Sequence, residues 1–263
     1  MYNGLQFAGV PEYLECAESF SKIGICSDTV ICAIDGSTHV DVILENYPNA
    51  SIATAPAILD MYSHFSSGFC NVLAAEQFDI AEKVVRDGSG YIGPYEMGTK
   101  VHSKEPLALV SREDDIIFSD FLNWIMVALI TAEDEGITSE TAASILPTTD
   151  IFGDEFSNMF RDAVSLVGNY GDIYERNLEH VLPRPTPDYI NDGKSGLIYA
   201  YPFGTLESVG PTPKLGGTMD GIKRRGKLIC GVEGQRPFFA TKDGNNEWSG
   251  TYFQRNGTSP CFD

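Results

Sequence analysis

Positive charge is scarce in this sequence: 18 Lys and Arg stand against 37 Asp and Glu, which gives a formal net charge of −19. Nucleic-acid binding depends on clustered cations that neutralise phosphates. The composition therefore argues against a nucleic-acid partner. The one tight basic cluster consists of Lys223, Arg224, Arg225 and Lys227, and we interpret it as a solvated turn.

Long apolar runs are also missing. No uninterrupted run approaches the ~18 residues of a transmembrane helix. The N-terminal stretch has no basic residue before Lys22 and no apolar segment like that of a signal peptide. We therefore predict no signal peptide here, as in a cytosolic protein or a chain that lacks its leader.

Sequence signatures of metal sites and nucleophiles are absent. His64, His102 and His180 show no metal-ligand spacing, and no Gly-x-Ser-x-Gly motif is present. We predict neither a metal nor a cofactor.

The cysteines form no Cys-x-x-Cys pair, so they are either buried free thiols or disulfides of an oxidising compartment. They are Cys16, Cys26, Cys32, Cys70, Cys230 and Cys261.

Short apolar stretches alternate with helical patterns in the first half, and helical patterns follow. The predicted strands are 29–34, 51–54, 69–75 and 107–110. The predicted helices are 39–46, 57–65, 77–88, 118–132 and 156–167, with another starting at 138 or 139. This alternation is typical of βαβ units, and it predicts a mainly parallel sheet.

Prolines and glycines become frequent after the predicted helices and interrupt any further helix. We predict an α/β region over residues 1–205, a Pro- and Gly-rich linker over 206–218, and a β-rich region over 219–263. Within the last region, Leu228–Val232 is predicted to be a strand.

Two places at strand ends could carry chemistry. Gly36, Ser37 and Thr38 lie between a predicted strand and helix, where exposed N–H groups favour an anion; the alternative is a plain helix N-cap. Glu76 follows an apolar strand, at the edge where α/β sheets bind ligands, and could receive an ammonium group. Its alternative role is an acid that begins a helix.

Other candidates are weaker. Ser37, His39 and Asp41 resemble a catalytic triad in composition, but triad partners normally come from distant parts of a chain, so we predict that His39 is a surface residue of a helix. Several aromatic side chains could line a ligand pocket, although core packing is the commoner role. These are Tyr2, Phe7, Phe238, Phe239 and Trp248.

Several motifs, in order, resemble the amino-acid-binding solute-binding proteins of ABC transporters, particularly the polar and general L-amino-acid branch. They are YNGLQF at 2–7, TVICAIDGSTHVDVI at 29–43, GFCNVLAAEQ at 68–77, SKEPLALVSREDD at 103–115, FLNWIMVALITAEDEGITSE at 121–140, VGNYGDIYERNL at 167–178 and SGLIYAYPFG at 195–204.

The resemblance implies a type II periplasmic-binding-protein-like α/β fold, in which two lobes close on an amino acid. It implies that the second lobe, at about 27–110, is complete and is followed by C-terminal helices. Only part of the other lobe is expected. Residues 219–263 resemble the start of a first lobe. They are interpreted either as an interrupted repeat or as a permuted strand.

The resemblance also assigns site residues. It implies that Ser37 and Thr38, after Gly36, bind the ligand carboxylate, and that Glu76 binds its α-ammonium group. The arginine with which the family's first lobe clamps the carboxylate has no counterpart here, since Arg255 lies too close to the predicted tail strand. We therefore expect weak or no binding by this chain alone.

The resemblance further implies that Cys32 and Cys70 form a disulfide and that the protein is extracytoplasmic. The function it implies is binding of a polar L-amino acid for an ABC-type uptake system, or in a receptor-like derivative, without catalysis. The expected partners are the amino acid and either a transporter membrane component or a second repeat copy. Two alternatives stay open: a structural or interaction domain that binds no ligand, and a small-acid lyase, for which the sequence offers no second acid or base near Glu76.

Overall fold

The computed structural model describes residues 2–21, 24–184, 201–203, 216–232, 235–236, 240–245 and 247–249. The chain divides into two compact units. The first, called the sheet unit, comprises Met1–Leu107, His180–Pro183 and Glu233–Tyr252. The second, called the helix unit, comprises Ala108–Glu179, Arg184–Val232 and Phe253–Asp263.

The sheet unit contains all the strands of the described residues and four of their helices. Its strands are β1 Tyr2–Asn3, β2 Leu5–Gly9, β3 Val30–Ile34, β4 Ser51–Ala55, β5 Val72–Glu76, β6 Glu96–Val101, β7 Glu105–Pro106, β8 Gln235–Arg236, β9 Ala240–Lys242 and β10 Trp248–Ser249. Its helices are α1 Pro11–Glu18, α2 Thr38–Asn46, α3 Ile58–Ser66 and α4 Glu82–Ser89.

The largest sheet has the strand order β4-β3-β5-β2-β6. Strand β3 runs parallel to β4 and β5, as the βαβ pattern predicts. Strand β2 is antiparallel to both β5 and β6, so the prediction of a mainly parallel sheet is wrong for this half. The βαβ alternation could not reveal β2 and β6, because an antiparallel strand needs no crossover helix on its face.

Strand β5 is buried at every position because helices cover both of its faces. Its Leu73 and Ala75 belong to the apolar cluster that includes Met61 and Phe65 of α3. Its Val72 and Ala74 belong to a second cluster, which also holds Leu14 of α1 and Ile43 of α2. The alternating side chains of one strand therefore join two layers of the core.

Two disulfides lie in the sheet unit. Cys32 of β3 is bonded to Cys70, just before β5, and Cys16 is bonded to Cys26. The pairing of Cys32 with Cys70 that the resemblance implies is confirmed, and these cysteines are not free thiols. Each cross-link restricts the unfolded chain and so stabilises the folded one.

The helix unit is built from α5 Ile116–Asp134, α6 Ala142–Ile145, α7 Met159–Val167, α8 Tyr170–Asn177 and α9 Gly217–Arg225. Helix α5 packs against α7 and α8, and α6 packs against α7. The helices predicted at 118–132 and 156–167 are confirmed, with shifted bounds. Gly168 ends α7 with φ +80°, a backbone conformation that glycine adopts without strain.

Helix α5 is long and apolar enough by composition to cross a membrane, with 19 residues and a mean hydropathy of 1.6. The core helices of soluble proteins share both properties. Its buried residues include Phe121, Ala128, Leu129 and Ala132, which belong to the apolar core of the helix unit. One helix of this kind is weak support for a membrane span.

Two predictions near the end of the chain are wrong, one of them in part. Lys223, Arg224 and Arg225 are exposed as predicted, but they form the last turn of α9 rather than a loop, and cations interact favourably with the helix dipole there. Lys227 follows the helix. Gly226 then ends the helix in the left-handed region, with φ +72°. Leu228–Val232 is not a strand, so it lacks the parallel pairing expected of a permuted strand.

The later part of the chain forms a small sheet in the order β10-β9-β8, with antiparallel pairing throughout. Residues 204–215, which hold most of the predicted linker, lie outside the described residues, and so does Arg255. The division into regions 1–205, 206–218 and 219–263 stays a prediction. So does the origin of the last region as an interrupted repeat or a permutation.

Two further predictions have opposite outcomes: the strand at 107–110 is wrong, and the core role considered for Phe7 is confirmed. The strand predicted at 107–110 is absent, and its Leu109 and Val110 are exposed; here an apolar run does not mark a buried segment. Phe7 is fully buried in the core of the sheet unit rather than in a pocket. Phe238 and Phe239 lie outside the described residues.

Candidate functional site

The predicted site residues lie at one end of the parallel part of the sheet. Strands β3 and β5 are parallel neighbours, so their carboxyl ends lie at the same edge. Strand β3 leads through Gly36 into α2, whereas β5 ends at Glu76. The fold therefore brings the start of α2 and Glu76, 38 residues apart in sequence, to the same edge.

The turn between β3 and α2 depends on Gly36. This residue is exposed and has φ +67°, in the region that favours glycine. Ser37 occupies the N-cap position, but its side chain makes no capping bond. Its hydroxyl instead donates to the carbonyl oxygen of Ile34 at 2.7 Å. The alternative of a plain N-cap is therefore confirmed for the position of Ser37, although its side chain makes no capping bond.

Thr38 is the first residue of α2, and its side chain is exposed. Its hydroxyl lies 3.4 and 3.5 Å from the two carboxylate oxygens of Glu105. The first N–H groups of any helix have no acceptor inside the helix, and the dipole favours negative charge there. The contact recorded at this helix start is that of the Glu105 carboxylate with the Thr38 hydroxyl.

Glu76 is the last residue of β5 and is only 9% exposed. The following helix, α4, begins at Glu82, so the alternative that Glu76 begins a helix is wrong. Its backbone carbonyl accepts from the N–H groups of Asp79 and Ile80, which closes the turn after the strand. The fold therefore holds a carboxyl group in a largely buried position at the strand end.

His39 differs from its prediction. It is 6% exposed rather than a surface residue of α2. Its Nε2 lies 3.6 Å from Oε1 of Glu105, which is beyond hydrogen-bond distance. One ring nitrogen of His39 and one carboxylate oxygen each from Glu76 and Glu105 lie within 4.8 Å of one another. Asp41 is exposed and is absent from this group, so the structure forms no triad with it.

Glu105 is the site residue that sequence reasoning missed. It lies in β7, which pairs with β1 so that Asn3 is opposite Glu105. The Ser103 hydroxyl donates to Glu105 Oε1 at 2.8 Å and accepts from the N–H of Leu5 at 2.9 Å. The only available signal was its position in the SKEPLALVSREDD motif, because the chain separates it from His39 by 66 residues.

Two further acid–base groups lie near Glu76. The sequence offered none, but the structure places both His39 and Glu105 beside it. We name the group formed by His39, Glu76 and Glu105 the carboxylate–imidazole cluster. Asn3 lies next to it: this side chain is 4% exposed, and its Nδ2 has no hydrogen-bond partner among the described residues.

A concave feature lies in the helix unit. It is an open groove of about 710 Å³ whose lining includes Thr138, Glu140, Asp172, Glu175 and Arg176. None of the predicted site residues lines it. We place the candidate site at the carboxylate–imidazole cluster because buried groups of complementary chemistry converge there.

Comparison with known proteins shows which class of protein the chain resembles. No family model matches the chain. The chain is 25% identical to the general L-amino acid-binding periplasmic protein AapJ of Rhizobium johnstonii, over 67% of the chain and 58% of that protein. It is 29% identical to the glutamate/glutamine/aspartate/asparagine-binding protein BztA of Rhodobacter capsulatus, over 40% of the chain and 36% of that protein.

The fold has a counterpart among solved structures. An ABC transporter periplasmic binding protein from Brucella ovis, with glutathione bound, matches with a TM-score of 0.55 and 23% identity. The match covers 70% of this chain and 62% of that one. The chain thus has a mixed α/β fold that resembles those of periplasmic binding proteins and matches part of their length. The resemblance to amino-acid-binding proteins of ABC transporters is confirmed.

The relatives also bear on the class of activity. Both are named as binding proteins rather than enzymes, and AapJ is named as periplasmic. The chain spans about three fifths of the length of AapJ. What the whole relatives do is therefore brought to this chain only as a proposal.

Proposed function

We propose that this chain binds a polar L-amino acid as the extracytoplasmic solute-binding component of an ABC-type amino-acid uptake system, or of a receptor-like derivative. The observation that carries the proposal is the meeting of a buried carboxyl group, Glu76, with the start of α2 at one edge of the sheet. An α-amino acid presents the two complementary charges, an ammonium and a carboxylate group.

The ammonium end has a specific acceptor. Glu76 is largely buried, and a charged hydrogen bond in such a place is stronger than one in water. An ammonium group bound there would compensate the cost of keeping a carboxylate out of solvent. This makes Glu76 the residue whose loss should affect binding most.

The carboxylate end is supported by the surroundings of α2. The Glu105 carboxylate already lies against the Thr38 hydroxyl, at 3.4 and 3.5 Å. A ligand carboxylate would meet the same hydroxyl and the same N–H groups of the first helical turn. Gly36 and Ser37 shape the turn that presents them.

The two disulfides support an extracytoplasmic location, because such bonds persist in oxidising compartments. The partners in this proposal are the amino acid and either a transporter membrane component or a second copy that supplies an arginine. We propose binding without catalysis, as the relatives' names indicate.

Affinity should be low for the chain alone. About three charged hydrogen bonds at ~1.5–3 kcal/mol each only partly offset an association cost of ~4–15 kcal/mol. We therefore expect dissociation constants of about 1 mM or weaker. Isothermal titration calorimetry and ligand-observed NMR with glutamate, glutamine, aspartate and asparagine measure this directly.

The decisive variant is Glu76→Gln, which keeps the size of the side chain and removes its charge. We expect it to abolish binding, whereas Glu45→Gln, on the exposed side of α2, should leave binding unchanged. Binding that survives Glu76→Gln contradicts the assigned role. If none of the four amino acids raises the melting temperature by mass action, the structural or interaction domain becomes the better interpretation.

A further inference from the structure

The carboxylate–imidazole cluster has the spacing of a metal site. In tetrahedral zinc sites, bonds of 2.0–2.2 Å to nitrogen and oxygen place neighbouring ligand atoms ~3.4 Å apart. His39 Nε2 and Glu105 Oε1 lie 3.6 Å apart, which is too far for a hydrogen bond and close to that separation. The Glu76 oxygen completes a set within 4.8 Å, so a shift of about 1 Å would bring all three to one ion.

The charges of the cluster also favour a cation. Two carboxylate groups and one imidazole nitrogen meet here, and zinc accepts all three as ligands. Among the described residues, Glu105 lies beside the ring of His39, and no ion pair joins it to a Lys or Arg. A divalent cation carries the charge opposite to that of carboxylate ligands.

Neighbouring groups hold the ligand atoms in place. The Ser103 hydroxyl donates to Oε1 of Glu105 at 2.8 Å and is itself held by the N–H of Leu5. Such outer hydrogen bonds orient metal ligands and raise metal affinity. His39 is fixed near the start of α2, where it is 6% exposed.

We infer that His39, Glu76 and Glu105 bind one zinc-like divalent cation, with the fourth position open to water or to a ligand atom. One nitrogen and two carboxylate oxygens suit zinc, whereas magnesium prefers an octahedral shell of oxygen atoms. The three residues lie far apart in sequence, so no ligand spacing could reveal the site. The inference does not rest on the proposed amino-acid function, although both use Glu76.

The test titrates the full chain, without a polyhistidine tag and stripped by a chelator, with zinc chloride alone in a calorimeter. We expect one zinc ion per chain and no uptake of magnesium. Glu105→Gln, an isosteric change at a partly exposed residue, should weaken zinc binding by at least about 100-fold, and His39→Gln should do the same. In the native chain, cobalt should give the visible absorption of a four-coordinate site.

His64→Gln is the matched control, because His64 lies on α3 against the ring of Phe69 and outside the cluster. It should leave zinc affinity unchanged, and circular dichroism should show that each variant is folded. Equal zinc affinity in the native chain, Glu105→Gln and His39→Gln would overturn the inference, as would no uptake of zinc.

Glu76→Gln should remove zinc and amino-acid binding together. Zinc binding without amino-acid binding supports the metal site and contradicts only the proposed function.

Discussion

The sheet unit and the helix unit bury different kinds of polar side chain. In the described residues of the helix unit, the buried polar side chains are Thr131 and Asn169. Thr131 donates to the carbonyl of Val127 at 2.9 Å, and Asn169 donates to that of Ile137 at 2.9 Å. Thr131 therefore bonds within α5, and Asn169 bonds to the loop that follows α5. The buried polar residues of the sheet unit are Asn3, Gln6, Thr29, His39, Glu76, Gln77 and Asp79.

This difference indicates that the helix unit is a scaffold and that the sheet unit holds the candidate site. Burial of a polar or charged group costs free energy unless it is paired, and an apolar core avoids this cost. The helix unit largely does so, whereas the sheet unit gathers His39 and Glu76 beside Glu105 at a strand end. Such local violations of the rules of folding are expected where a protein works. Three substitutions test whether the two units differ in this way.

The largest effect is expected from Phe160→Ala in the helix unit. Phe160 is 1% exposed and packs edge to face against Phe203, with ring centroids 5.4 Å apart. The cavity should lower the free energy of unfolding by about 3–5 kcal/mol, as measured by urea denaturation. Leu166→Ala on the same helix, at a side chain that is 78% exposed, should cost less than about 0.5 kcal/mol.

If the helix unit is a scaffold, Phe160→Ala should leave zinc binding unchanged wherever the variant is folded. A loss of zinc affinity in the folded variant would break the comparison between the units.

The second effect concerns the disulfides of the sheet unit. Replacing Cys32 and Cys70 by serine opens a cross-link over 38 residues and should cost about 4 kcal/mol. Replacing Cys16 and Cys26 opens one over 10 residues and should cost about 1 kcal/mol less. Chemical denaturation of the two double variants measures the difference. A larger loss for the shorter loop would contradict the loop-entropy explanation.

The smallest effect is expected at Asp115, which caps two helices of the helix unit. Its carboxylate accepts from the N–H of Thr218 in α9 at 2.9 Å and from that of Phe118 in α5 at 3.1 Å. Asp115→Ala should cost about 1–2 kcal/mol. Asp120→Ala, at an exposed position of α5, is the matched control and should have little effect on the free energy of unfolding.

The cap should also depend on pH. The hydrogen bonds from Thr218, and then that from Phe118, lower the pKa of Asp115 below its ordinary value. A lowered pKa in the folded state means that the stabilisation is fully present above the ordinary Asp pKa of about 3.9 and is lost as the pH falls through the lowered value. The stability difference between the native chain and Asp115→Ala should therefore shrink below about pH 4. A constant difference at low pH would show that Asp115 acts through packing.

The local parts of the fold could be predicted from the sequence because they depend on neighbouring residues. The period-two and period-3.6 patterns around β3, α2, β4, α3 and α5 predict elements that the structure contains. Leu228–Val232 has the same apolar pattern, yet it is not a strand. A short apolar run becomes a strand only where a partner strand is available.

The site was predictable in part for the same reason. Glu76 and the turn at Gly36 follow apolar strands, and parallel strands bring their carboxyl ends to one edge. By itself, the sequence therefore determined the strand–helix units and the two strand ends that meet. Only the tertiary structure decided that β2 and β6 run antiparallel and that His39 is buried beside Glu105, because those contacts join residues far apart in the chain. The charge of the carboxylate–imidazole cluster arises from contacts between distant residues, and a local sequence pattern does not predict such contacts.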